Sequence, residues 1–261
     1  MHVGLDIHKR FTYATILDEK GDTMFEEKFD NKPEEMESFK NKLDIGSNTV
    51  LEACGSWQHI YDYFDAQGFD TKLAHPTKTS TLVGFFCKTD KIDSKNLAEL
   101  NRLNKVPMSC VPDIEVRDLR TLARNRASLV SLRTQVTNKI HAILAMKGTI
   151  FDDLSDIYGK EGMSRLRDLK FGDNNDMALQ NFLNMIDTFN EQIKETEAEI
   201  DVRNGLDEDT RLLMKMNGIG PYLALLIKSE IGSIDRFSEP TKFISYCGLN
   251  PRVYQSGFKT K

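Results

Sequence analysis

The hydrophobic period of this chain changes once, near Pro112, and that change restricts the fold more than any other feature. Before it, apolar residues alternate with polar ones or come in short β-branched and aromatic runs. After it, Val116, Leu119, Leu122, Leu129, Val136, Ile140 and Leu144 recur at helical spacing. A second series, Phe182, Ile186, Phe189, Ile193, Thr196 and Ile200, alternates steps of four and three, the narrow seam of a coiled coil. Period two argues strands and period 3.6 argues helices, so a sheet domain should come first and long helices after it.

In the first part, runs at residues 3–7, 11–17 and 23–29 read as an antiparallel meander, with Glu19-Lys20-Gly21-Asp22 as one of its turns. Pro33 opens a helix to about residue 43, where its missing N–H costs nothing. Residues 49–53 form a short apolar strand, Ser56 caps a helix to about Gln67, and "FDTKLAHP" is a strand stopped by Pro76. Leu97, Leu100 and Leu103 make the apolar stripe of a helix within residues 88–105. Strands followed by alternating helix and strand predict an α/β sheet of about five strands.

Beyond Pro112 the two helical series predict a long antiparallel helical arm, its halves linked through residues 151–176. From residue 206, "LMKMNGIGPYLALLIKSEIG" sets Gly218 and Gly220 between two apolar helical runs, as in a helix-hairpin-helix element. Such a turn lets backbone N–H groups approach a phosphate, although glycine also serves there for steric reasons alone. The expected division is residues 1–108, 109–205 and 206–261.

Composition narrows the function classes. With 39% hydrophobic and 29% charged residues, the chain has no apolar run near the eighteen or so needed to span a bilayer, and its first residues lack the apolar run of a signal peptide. A cytoplasmic protein with no membrane partner is expected. Cys54, Cys87, Cys110 and Cys247 form no C-x-x-C pair, so neither a zinc site nor a disulfide framework is indicated. The net charge of −5 conceals an asymmetry. Residues 117–147 carry seven bases against one acid, and residues 149–209 carry sixteen acids against six bases. The basic stretch predicts nucleic-acid contacts from Arg117, Arg120, Arg124, Arg126, Arg133 and Lys139.

Four acids carry the candidate chemistry. Asp6 stands among the alternating apolar residues of the first strand, and Glu52 lies near the end of the fourth. Asp90 and Asp93 are three apart at the start of a helix, hence on one face. A sheet that sets its first and fourth strands side by side, with a later helix across their ends, would let all four converge. Clustered carboxylates repel unless divalent cations neutralise them, and hard oxygen donors select Mg2+ or Mn2+. Paired ions of that kind serve phosphodiester chemistry. His8 shares the face of Asp6, and two readings stand level: it orients a carboxylate or touches phosphate, or it is a surface histidine. Lys88 precedes the acid pair, and Trp57 reads as packing between helix and sheet.

The set "GLDIHK", "LEACGSW" and "KTDKIDSKNLAEL", with "NGIGPYLALLIKSEIGSIDRF" and "FISYCGLNPRVYQSG" downstream, resembles the DEDD-type insertion-sequence transposases. That group includes the Piv/MooV pilin-gene invertases and the bridge-RNA-guided recombinases, and the resemblance covers nearly the whole chain. It implies a RuvC-like domain of ribonuclease H type, a helical arm, and a small, mainly α transposase domain. It implies too that Ser256, in "QSG", is the nucleophilic serine. The resemblance further implies DNA as substrate and a structured guide RNA as partner. It also implies a homo-oligomer, dimer or tetramer, whose composite active site joins the acids of one subunit to the serine of another, in a bacterial or archaeal nucleoid-associated setting. Members continue well past the serine whereas this sequence stops at Lys261, so a C-terminally truncated member with weak cleavage is expected. Two rivals remain: a RuvC-like structure-specific nuclease using water as nucleophile, and an inactive nucleic-acid-binding regulator. A covalent protein–DNA adduct would separate the first from a transposase, and binding without cleavage would mark the second.

Overall fold

The computed structural model describes residues 1–83 and 89–250, together with the backbone of two short strands at Gln255–Ser256 and Lys259–Thr260. Cys87 and Lys88 lie outside the described residues, as does the side chain of Ser256. The chain divides into two compact units, Met1–Val111 and Pro112–Lys261.

In the first unit, β1 (His2–Ile7), β2 (Phe11–Leu17), β3 (Thr23–Asp30), β4 (Asn48–Glu52) and β5 (Asp70–Ala74) form one sheet in the order β3-β2-β1-β4-β5. The first three strands are the predicted antiparallel meander, while β1 pairs with β4, and β4 with β5, in parallel. The first and fourth strands are therefore neighbours, with Leu5 opposite Leu51. Parallel strands are joined through helices: α1 (Pro33–Lys40) precedes β4, and α2 (Trp57–Ala66) lies between β4 and β5.

The pleat of β1 sorts its residues between two layers. Val3, Leu5 and Ile7 point into a core with Ile16, Leu51 and Leu73 of the sheet, Phe39 of α1, and Ile60 and Phe64 of α2. Gly4 faces the other way, onto α4 (Asp90–Arg102). An added Cβ at Gly4 would stand 2.0 Å from the carbonyl oxygen of Ser94 and 2.4 Å from the nitrogen of Ala98, so only glycine admits the helix at this distance. Two polar contacts fix α4 lengthwise. Thr15 and Ser94 share a buried hydroxyl–hydroxyl hydrogen bond of 2.7 Å, and Asn101 Nδ2 donates to the carbonyl of Asn48 at 2.9 Å. Because Ser94 lies near the middle of β1 and Asn101 at the start of β4, α4 runs antiparallel to both strands. Its N-terminus thus comes to the end where β1 and β4 finish. A further helix, α3 (Pro76–Val83), follows β5 directly and was not expected from the sequence.

The second unit contains the arm. Helix α5 (Ile114–Met146) and helix α7 (Asn174–Leu206) each have 33 residues and pair antiparallel. Ion pairs and hydrogen bonds mark the register: Asp118 with Arg203 at 3.5 Å, Arg126 with Glu197 at 2.7 Å, Arg133 with Asn190 at 2.9 Å, and Lys147 with Asp173. Between them lie Val136, Ile140 and Leu144 of α5 against Leu179, Leu183 and Ile186 of α7. The link expected over residues 151–176 contains a helix, α6 (Lys160–Asp168), whose Leu166 is fully buried in that cluster. Its sequence, KEGMSRLRD, has only two large apolar residues, which is why periodicity did not reveal it.

The segment expected as a third domain begins with α8 (Glu208–Leu213) and α9 (Pro221–Ile231), joined by the predicted glycine turn. Gly218 has φ of +89°, a conformation that favours glycine, and Gly220 precedes Pro221 at the start of α9. A last helix, α10 (Pro240–Tyr246), follows. Helix α9 docks on the arm through Ala123, Ile200 and Leu225. Its C-terminal carbonyls lack partners within the helix. Arg120 supplies them, donating from Nε to the carbonyl of Ser229 at 2.6 Å and from a terminal nitrogen to that of Glu230 at 3.0 Å. A guanidinium also complements the negative end of the helix dipole. Replacing Arg120 by Met, which keeps the stem, should cost about 1.5–3 kcal/mol in denaturant unfolding. Arg124→Met should cost less than about 1 kcal/mol, because the Arg124–Glu230 pair is largely exposed.

Candidate active site

The C-terminal ends of β1 and β4 and the N-terminus of α4 meet at one edge of the first unit. Asp6 is on the α4 side of β1, because Leu5 and Ile7 both face the opposite core. Glu52 follows Leu51 and so shares the face of Asp6 on the neighbouring strand. Thr89 caps α4, its hydroxyl accepting from the backbone N–H of Ile92, and Asp90 and Asp93 occupy the first turn. Acids are favoured at that position by the positive end of the helix dipole.

His8 joins the two elements. Its Nε2 lies 3.2 Å from Oδ2 of Asp6 and 3.2 Å from Oδ1 of Asp90. The ligand atoms of Asp6, His8 and Asp90 all fall within 4.8 Å of one another. Burial is the largest influence on Asp6 and pushes its carboxyl above the ordinary aspartate range. The neighbouring Asp93 and Asp90 push the same way, and His8 opposes them. An acid that burial and two like charges make reluctant to ionise is one whose charged form a bound divalent cation would stabilise. The donor set therefore fits a hard divalent ion.

The remaining predicted residues stand in two groups. Asp6, Asp90 and Asp93 are brought together electrostatically, and Glu52 ends the adjoining strand. The basic residues of α5 are partly committed to protein contacts. Arg120 caps α9, and Arg126 pairs with Glu197 and stacks over Tyr222, 4.2 Å from the ring centroid. Arg133 reaches Asn190, Arg117 is half-buried, and Arg124 and Lys139 are exposed. Gly218 and Gly220 sit at an exposed turn. Trp57 packs against the sheet core and edge-on to Tyr61. The brace residues Gly4, Thr15 and Ser94 escaped sequence reasoning. The one available signal was a glycine within a strand, which marks a close backbone approach.

A sheet edge that collects acids at adjacent strand ends under the first turn of a helix, followed by a long helical region, is compatible with a DEDD transposase. Residues 3–147 match the DEDD transposases of the IS110 type, described as Transposase, and residues 210–261 match the Transposase IS116/IS110/IS902 family. The chain belongs to the IS110 family of insertion-sequence DNA transposases. It is 25% identical over 265 residues to the transposase for insertion sequence element IS1111A of Coxiella burnetii, covering 98% of this chain and 70% of that protein. It is 23% identical over 262 residues to the transposase for insertion sequence element IS1328 of Yersinia enterocolitica, covering 99% and 76%. A putative transposase, y4qE, of Sinorhizobium fredii is 25% identical over 204 residues, covering 77% of this chain and 49% of its own length. Among the described residues, no helix is long and apolar enough to cross a membrane.

Proposed function

We propose that this transposase cuts and rejoins DNA at a divalent-metal site of ribonuclease H type, with Ser256 as nucleophile and a structured RNA as guide. The convergence of Asp6, Asp90 and Asp93 at the edge where Glu52 also ends carries the metal reading. The strand order β3-β2-β1-β4-β5 supports the RuvC-like comparison. In this reading Asp6, Glu52, Asp90 and Asp93 hold Mg2+ or Mn2+. Bound cations would supply charge neutralisation at the phosphate and stabilise the leaving oxygen. The hydroxyl of Ser256 attacks phosphorus, so that an Oγ–P bond forms and a phosphorus–sugar oxygen bond breaks. The serine proton passes to a basic group, and the freed sugar oxygen takes up a proton. Rejoining reverses both transfers. Exposed Arg124 and Lys139, with the backbone at Gly218 and Gly220, are the candidate contacts to nucleic-acid phosphates. Homo-oligomers would complete a composite site from acids of one subunit and the serine of another, in a cytoplasmic, nucleoid-associated enzyme.

The decisive experiment traps protein on DNA. A version of the chain extended beyond Lys261, incubated with DNA carrying the element's ends, a guide RNA and Mn2+, should yield a denaturant-resistant protein–DNA adduct. Ser256→Ala should lower its formation by on the order of a thousandfold or more. Mixing Ser256→Ala with Asp6→Ala subunits should restore part of it. A cut of undiminished rate in Ser256→Ala would transfer the chain to the water-using nucleases.

A further inference from the structure

We propose that His8 is a nitrogen ligand of the cation held by Asp6 and Asp90, giving the site a mixed oxygen and nitrogen donor set that selects Mn2+ over Mg2+. The inference rests on the metal-dependent reading above and adds to it a residue outside the four acids.

Geometry carries the assignment. Nε2 of His8 lies 3.2 Å from a carboxylate oxygen of each aspartate. Two donors at right angles around an ion with bonds of about 2.1 Å are roughly 3.0 Å apart. Nε2 therefore stands at the spacing of a neighbouring donor from each aspartate, and the ligand atoms of all three residues lie within 4.8 Å of one another. A loosely held surface histidine could reach such a position by chance, but the backbone of His8 is held on both sides and one face of its ring is packed. The main-chain N–H of His8 donates to the carbonyl of Phe11 at 2.9 Å, and its main-chain carbonyl accepts from Nδ2 of Asn31 at 2.8 Å. Asn31 is itself oriented by the hydroxyl of Thr12, which donates to its Oδ1 at 2.6 Å. The imidazole stacks on Phe11 with centroids 4.5 Å apart and an interplanar angle of 28°. A side chain already ordered in this way loses little freedom when it binds an ion.

The consequence is selectivity. Magnesium prefers oxygen donors and keeps its waters, whereas an imidazole nitrogen suits transition ions better. Replacing one oxygen position by Nε2 should therefore weaken magnesium relative to manganese.

The test uses the full chain and Mn2+ alone, with no DNA. Pulsed electron paramagnetic resonance of the manganese-loaded protein should show the hyperfine coupling of a coordinated 14N, and His8→Ala should remove it. By calorimetry, His8→Ala should reduce manganese affinity by about tenfold and magnesium affinity by less, narrowing the ratio between them. His8→Gln, closer in size, provides the same comparison if His8→Ala folds poorly. Manganese binding that Asp6→Asn abolishes, with no nitrogen coupling in the unaltered chain, overturns the assignment of His8 and leaves the metal reading standing. Coupling that persists in a folded His8 variant also overturns it. No manganese binding by the unaltered chain overturns both.

Discussion

Asp6→Asn is expected to lower DNA cleavage by on the order of a thousandfold or more while making the metal-free protein more stable at neutral pH. The two effects have one origin. Burial, with Asp93 and Asp90 nearby, raises the affinity of the Asp6 carboxyl for its proton in the folded chain above that of the unfolded chain. A raised folded-state value means that the contribution to stability is fully present below the unfolded pKa. It is lost as pH rises through the folded one. At neutral pH the ionised carboxylate is thus a destabilising group, which Asn removes without changing the side chain's shape. Thermal unfolding of both proteins in the presence of a chelator, at pH 7 and again near pH 3, measures this directly. The stabilisation should be present at pH 7 and largely absent at pH 3. Equal stability at pH 7 would mean that the carboxylate is not strained by its neighbours.

Gly4→Ala should be the most damaging alanine substitution among the described glycines of the first unit. The new Cβ would meet the Ser94 carbonyl at 2.0 Å and the Ala98 nitrogen at 2.4 Å, and both are backbone atoms that cannot rotate aside. Either α4 lifts from the sheet or β1 distorts. Overpacking of this kind costs about 1–3 kcal/mol and sometimes more. Because Asp90 and Asp93 ride on the same helix, the displacement also separates them from Asp6. Manganese affinity should fall together with stability, although no ligand has been changed. Gly205→Ala makes a suitable control: its Cβ would meet nothing within 4 Å, and within α7 it should be neutral or stabilise by up to about 1 kcal/mol. Calorimetric unfolding and metal titration of the two variants would test the contrast, and an unaltered metal affinity in Gly4→Ala would separate the helix position from the site.

Much of this was legible in the residues. Alternation located the strands, and the two helical series located α5 and α7, because each pattern extends over enough residues to be unambiguous. The acids at positions 6, 52, 90 and 93 were recognisable as a set. Their meeting was not readable, since it depends on β1 pairing with β4, a choice made between strands more than forty residues apart. The arm's charge was legible as well, but not its use. Arg126 finds Glu197 across 71 positions, and Arg120 reaches Ser229 across 109. Spacing within one helix cannot reveal a partner that far away. Helix α6 went unread because its burial falls on very few apolar side chains, and its close packing is instead recorded by Gly162, whose added Cβ would stand 2.3 Å from the carbonyl oxygen of Ile157.

The paired ladder of the arm has a consequence for how such chains can change in length. The rungs Asp118–Arg203, Arg126–Glu197, Arg133–Asn190 and Lys147–Asp173 join two helices of 33 residues running in opposite directions. Losing one residue in the middle of α5 would turn every later side chain by about 100° and draw it back by about 1.5 Å, so the rungs beyond would miss their partners. The deletion becomes tolerable when α7 loses a matching stretch at the mirrored height, or when whole heptads leave both helices together. Insertions and deletions in this arm should accordingly come in coupled pairs, one on each side of the link through residues 151–176. Sequences that diverge elsewhere would keep the two halves equal.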